Sequence, residues 1–304
     1  MADLWEPING IFTATAPLST WSTSLPSIDI VQWGSALITA GLGAGSGSGI
    51  GAWMAGRLAR HAKLRDELLA ELRSVDVAIT LCISVIDVVG SLKKQHVSGL
   101  LSKYESDLTK FENYKATGRR EDPFSLSINL LRFQAIAPPT VELKSLILKD
   151  MNISPNGVKS IIALADAVEN LNGMIDAYNA LLEMFRNDSL PAGFTPNHYY
   201  LGLHVGGVVN NEYGSAVRGI ATYTDDVIFF ACKLSDCLTS QGVKVRDRYK
   251  ELSGEKRLIR RADSTGENAG LIPPDSAYEG WMRGWEEDFS EVAKKRRWWH
   301  RKNV

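Results

Sequence analysis

Apolar residues recur at alternating three- and four-residue steps in three long stretches of the chain, a spacing that puts each set on one stripe of an α-helix. The first set is Leu68, Leu72, Val75, Ile79, Cys82, Ile86 and Val89. The second is Ile161, Leu164, Val168, Leu171, Ile175, Tyr178, Leu182 and Phe185. The third is Ile220, Tyr223, Val227, Phe230, Leu234 and Cys237. Three such stripes predict an all-α fold, an antiparallel helical bundle with long heptad-patterned helices. Ser154-Pro155 supplies a start for the second helix: a serine cap, then a proline whose missing N–H falls where no intrahelical acceptor exists. Residues 77–92 are apolar almost all round, broken by Asp87, which predicts a central bundle helix. At about fifteen residues the stretch is short for a bilayer span. Shorter helices are expected near 97–113, 125–134 and 140–150. Residues 188–208 hold Pro191, Pro196, Gly193, Gly202, Gly206 and Gly207 and are expected to form a long structured loop. The Lys- and Arg-dense residues 244–261 are expected to continue the third helix into solvent.

The helical pattern fails before the first stripe. Residues 1–30 are Ser/Thr/Pro-rich, and Pro7, Pro17 and Pro26 oppose a helix, so an extended or disordered arm is expected. No basic region precedes an apolar core there, so a cleaved signal peptide is not expected. From Ile30 to Gly56 no charge occurs. Trp33 and Trp53 are separated by roughly 30 Å if the segment is helical, the thickness of a bilayer's hydrocarbon core. Tryptophan favours both interfaces of a membrane. No Lys or Arg occurs before Arg57, and Arg60, Lys63 and Arg65 follow at once. Trp33, Trp53, Arg57 and Arg60 are therefore the candidate membrane-interface residues. The positive-inside rule makes the protein single-pass, N-terminus out, with a cytoplasmic C-terminal domain.

Gly41, Gly45 and Gly49 are spaced by four, as are Gly43, Gly47 and Gly51. Small residues at that spacing leave flat stripes on which helices pack closely in lipid. Large apolar residues are scarce between Ala36 and Met54, so a lone span would insert only marginally. Two stripes per helix point to a ring or higher homo-oligomer in the lipid bilayer. A flexible Gly/Ser linker in a soluble protein is the competing reading. The expected plan is an arm at 1–30, a transmembrane glycine-zipper helix at 31–56, a cytoplasmic helical bundle at 57–262, and a loop plus basic-aromatic C-terminal helix at 263–304.

Composition narrows the chemistry. The net charge of −1 supplies no bulk field for nucleic acid. Cys82, Cys232 and Cys237 lie in apolar helical patterns without a C-x-x-C pair, which predicts reduced core thiols. Gly43-Ala-Gly45-x-x-Ser48 lacks the third glycine of a dinucleotide fingerprint, and no P-loop lysine is present. Gly-x-Ser-x-Gly, His-Glu-x-x-His and paired Glu-x-x-His motifs are missing. Asp76, Asp87 and the Asp225-Asp226 pair read as solvent-facing or capping carboxylates. His198 and His204 could ligate zinc only with a third partner, and Tyr199 and Tyr200 between them are better suited to pinning the loop on the bundle. No catalytic residue, metal or cofactor is expected.

The tail carries Trp281, Trp285, Phe289 and Val292 on one helical face, followed by Lys294, Lys295, Arg296, Arg297, Trp298, Trp299 and Arg301. Docking of the aromatic face on the bundle is the first reading. An anionic lipid surface is the second, and nucleic acid the third. The expected function is a non-enzymatic oligomeric membrane protein, in its extreme form a pore-forming or membrane-disrupting effector of the bacterial defence kind, controlled by its bundle. The alternative is a membrane-tethered helical scaffold that binds a protein or nucleic-acid partner. A third is a soluble enzyme with a site around His198, His204 and Asp225-Asp226.

Overall fold

The computed structural model describes residues 5–8, 11–14, 48–117, 124–260 and 269–283. The chain divides into two compact units, Met1–Ala62 and Lys63–Val304. In the first, β1 (Trp5–Ile8) and β2 (Ile11–Ala14) pair antiparallel with Ile8 opposite Ile11. Helix α1 (Ser48–Leu92) begins in this unit, and its residues from Lys63 belong to the second.

The second unit is an all-α bundle. After α1 come a π-helical turn (Lys93–Val97), α2 (Ser98–Thr117), α3 (Thr140–Asp150), α4 (Pro155–Arg186), α5 (Pro196–Leu201), a two-residue hairpin of β3 (His204–Val205) and β4 (Val208–Val209), and α6 (Glu212–Ser253). Short 3-10 turns at Ala269–Leu271 and Asp275–Tyr278 lead into α7 (Glu279–Arg283).

Helix α4 buries Ile161, Leu164, Leu171, Ile175, Tyr178 and Leu182 completely. Its start follows the capping logic: Ser154 lies outside the helix and its side chain accepts from the Gly157 N–H at 3.4 Å, with Pro155 in the first turn. Helix α6 runs antiparallel to α1 and α4. Gly242 faces Val75 and Asp225 pairs with Lys93, while Gly219 faces Met174 and Cys237 lies by Gly157. At Gly242 an added Cβ would come within 2.9 Å of Val75 Cγ1, so this glycine sets how near α1 and α6 approach. Helix α6 ends at Ser253, where Gly254 adopts φ +72° and turns the chain out. The expected helical extension to 261 therefore stops short.

The expected helix at 125–134 does not form: residues 124–138 carry no regular secondary structure. Two side chains of α4 replace the hydrogen bonds that a helix would have supplied. Asn179 accepts from the Phe133 N–H at 3.1 Å and donates to the Phe133 carbonyl at 2.8 Å. Asn172, two helical turns earlier, does the same for Ile136, both bonds at 2.9 Å. Each carboxamide thus acts as one peptide group of a neighbouring strand. The 188–208 segment, expected as a long structured loop, contains α5 and most of the β3–β4 hairpin, and Tyr199 and Tyr200 are buried on the bundle, as expected.

The N-terminal half of α6 closes on an aromatic cluster. Tyr213 lies 4.7 Å from Tyr200, 5.6 Å from Tyr178 and 5.8 Å from Tyr104, between ring centroids. Gly214 permits this, because an added Cβ there would lie 2.1 Å from the Tyr104 hydroxyl oxygen. The Tyr200 hydroxyl donates to Asp107 at 3.0 Å, and Lys103 and Lys110 complete the carboxylate's shell at 2.7 and 3.3 Å. Burial alone would raise the Asp107 pKa, but these donors outweigh it and hold the carboxyl below its ordinary value.

Candidate functional site

A cleft of about 660 Å³ lies within the second unit between α1 and α6. Its apolar walls are Ile83 and Ile86 from α1, Ile228 and Phe229 from α6, and Leu271 and Ile272 from the C-terminal strap, residues 269–283. Charged groups stand among them: Asp87 and Lys94 on the α1 side, Lys233 and Asp236 on α6, and Asp275 on the strap. The volume falls in the range of small-molecule sites, about 300–1,000 Å³.

The strap is latched to the bundle by discrete contacts. Lys93, in the π-helical turn, pairs through Nζ with Asp225 at 2.6 Å and donates to the carbonyl of Leu271, a residue of the cleft wall, at 2.7 Å. Such one-turn widenings re-aim side chains within a helix and are frequent at functional sites. Lys233 pairs with Asp275 at 2.8 Å. The Tyr278 ring stacks on Phe229 with centroids 3.7 Å apart and planes 7° apart, and its hydroxyl donates to Asp226 at 2.7 Å. Trp281 packs on Phe230 at 5.0 Å, and Lys159 sits 3.7 Å over the Trp281 ring while bonding its carbonyl. Burial raises the Asp226 pKa, the Tyr278 hydrogen bond lowers it and the Asp225 charge raises it, for a net rise. Burial also pushes the Cys232 thiol at the cleft wall up to about 11 and Cys82 behind it to about 12. Neither thiol is a ready nucleophile at neutral pH.

The residues singled out from the sequence scatter. Gly49 and Gly51 lie in the first turns of α1; Gly41, Gly43, Gly45, Gly47 and Trp33 lie outside the described residues. Trp53 is 59% exposed, with the Arg57 guanidinium 5.5 Å from its ring, and Arg60 donates to the Gly56 carbonyl at 3.3 Å. The helical run Trp53–Thr117 is long and apolar enough to cross a membrane by length and composition. Within it, however, Val75, Ile79, Cys82 and Val89 are fully buried core residues of the bundle. Trp281 docks on the bundle, whereas Trp285, Phe289, Val292 and the basic residues 294–301 lie outside the described residues.

The histidines and carboxylates do not converge. His198 Nδ1 accepts from the Thr195 N–H at 2.9 Å and caps α5. His204 lies on the β3–β4 hairpin. Asp225 and Asp226 engage Lys93 and Tyr278 instead of facing solvent or capping a helix. Among the described residues no three His, Cys, Asp or Glu side chains are placed to hold a metal. Reasoning from the sequence missed the cleft. Its one visible trace was Asp87, a carboxylate interrupting an apolar run.

The fold and cleft define an all-α bundle with a ligand-sized groove beneath a latched strap. No protein-family model, no curated protein and no solved structure matches the chain.

Proposed function

We propose that this chain is a non-enzymatic membrane protein that oligomerises through the glycine stripes of residues 41–51, with the bundle as its controlling domain. One observation carries the reading: a single helix, Ser48–Leu92, contains Gly49 and Gly51 near its start and the core residues Val75 to Val89 further on. The shared helix is the element on which this reading rests. The charge-free segment from Ile30 to Gly56 and the basic step at Arg57 support a single pass with the bundle in the cytoplasm. In its extreme form the assembly permeabilises the membrane.

The expressed protein is expected to pellet with membranes and to resist high-salt extraction. Gly45→Leu with Gly47→Leu is expected to shrink the oligomer and abolish leakage of a vesicle-trapped dye. Unchanged oligomer size and leakage in that double variant would sink the proposal. A second reading, a membrane-tethered scaffold, draws on Val141 and Leu148, which are 76% and 51% exposed and lie two turns apart on α3. In that case removal of residues 1–60 leaves partner capture by the bundle intact.

A further inference from the structure

We infer that the cleft between α1 and α6 is a binding site for a small amphipathic cation, an apolar body carrying one protonated amine. The inference goes beyond the membrane reading and stands without it, because every residue it uses lies in the Lys63–Val304 unit.

The shape requirement is met by the cleft's volume, about 660 Å³, and by walls of isoleucine, leucine and phenylalanine on three sides. The charge requirement follows from accounting for each ionic group at the site. Lys233 is neutralised by Asp275 at 2.8 Å. Lys93 is committed to Asp225 and to the Leu271 carbonyl. Two exposed carboxylates remain, Asp87 on α1 and Asp236 on α6, and no ion pair engages either among the described residues. The remaining cation, Lys94, lies seven residues beyond Asp87, about 10 Å further along the helix axis. No ion pair joins the two among the described residues, and one lysine can offset only one of the two carboxylates. The cleft therefore offers apolar surface flanked by net negative charge, the complement of a hydrophobic amine, which is protonated at neutral pH as a lysine is. A carboxylate-bearing ligand of the same body would meet Asp87 and Asp236 as like charges.

The test is titration calorimetry on the full-length protein with three probes of one body: 4-phenylbutylamine, 4-phenylbutanol and 4-phenylbutyrate. The amine is expected to bind about tenfold more tightly than the alcohol, the difference one charge-assisted hydrogen bond makes, and the butyrate most weakly. Asp87→Asn combined with Asp236→Asn is expected to erase the amine's advantage while leaving the alcohol's affinity unchanged. Ser91→Trp, at an exposed position on the cleft wall, is expected to abolish saturable binding of all three and reports any non-specific partitioning. Equal affinity for amine and butyrate, an amine preference that survives the double Asp variant, or binding indifferent to Ser91→Trp would each overturn the assignment. So would absence of saturable binding. None of these results depends on oligomer size or leakage, so the failure of this site and of the membrane reading are separable.

Discussion

The two halves of α6 solve the same packing problem with different materials. Its N-terminal half, around Tyr213 and Gly214, is sealed by aromatic rings and one carboxylate whose donors are all in place. Its central stretch, Ile228 to Asp236, faces an open cleft and is bridged by a strap held through an ion pair, hydrogen bonds and the rings of Tyr278 and Trp281. The sealed end gains its strength from buried area and close fit, and such contacts are lost all at once. The latched end relies on a few discrete, part-buried contacts. One helix therefore carries a closely packed end and an end covered through a small number of contacts.

The strongest way to break this contrast is to hollow the sealed end. Tyr213→Ala is expected to lower the unfolding free energy by about 4 kcal/mol, since it removes a fully packed aromatic side chain; urea denaturation followed by circular dichroism measures it. Next in size, Asn179→Ala strips the Phe133 N–H and carbonyl of their partner and is expected to cost about 2 kcal/mol. Faster amide exchange at Phe133 should accompany it. Tyr278→Ala, at the latched end, is expected to cost only about 1 kcal/mol and to speed tryptic cleavage at Arg283. A loss as large as that of Tyr213→Ala would erase the distinction between the two ends.

The smallest effect at neutral pH concerns Asp107. Its carboxyl is held below the ordinary value, so its contribution is complete above about pH 4. That contribution is lost as pH falls through the depressed value in the folded state. The unfolding free energy is expected to drop across that acid range, and Asp107→Asn to flatten the drop. An unchanged acid profile in the variant would place the acid sensitivity elsewhere.

The long helices were legible because their apolar stripes repeat over many turns, and a period close to 3.6 admits no other regular element. Residues 125–134 were misread. Leu126, Ile128 and Leu130 alternate with polar residues at a period of two, and each is partly buried against the core. That pattern suits an extended chain, but among the described residues no strand pairs with it, and its partners are two asparagines on a helix face. Asparagine in mid-helix gives no hint of which backbone it serves. The β1–β2 hairpin was also legible in principle, since Asn9-Gly10 separates its strands in the sequence. Pro7 and the Ser/Thr-rich surroundings concealed it. The cleft was beyond reach for a different reason. It joins three segments distant in sequence, and its charge balance depends on which lysine is already engaged.

The π-helical turn at Lys93–Val97 has a consequence of phase. A π-turn accommodates one more residue than an α-turn before the helix resumes, so the face presented by α2 is offset from that of α1 by about 100°, one residue's rotation. The offset is what lets Val89 and Val97 both turn inward while Lys93 reaches across to Asp225 and the strap. The number of residues in this stretch is therefore as much a specification as their identity. A chain shorter by one at Gln95 would keep every side chain it needs and present the whole of α2 to the core on the wrong face.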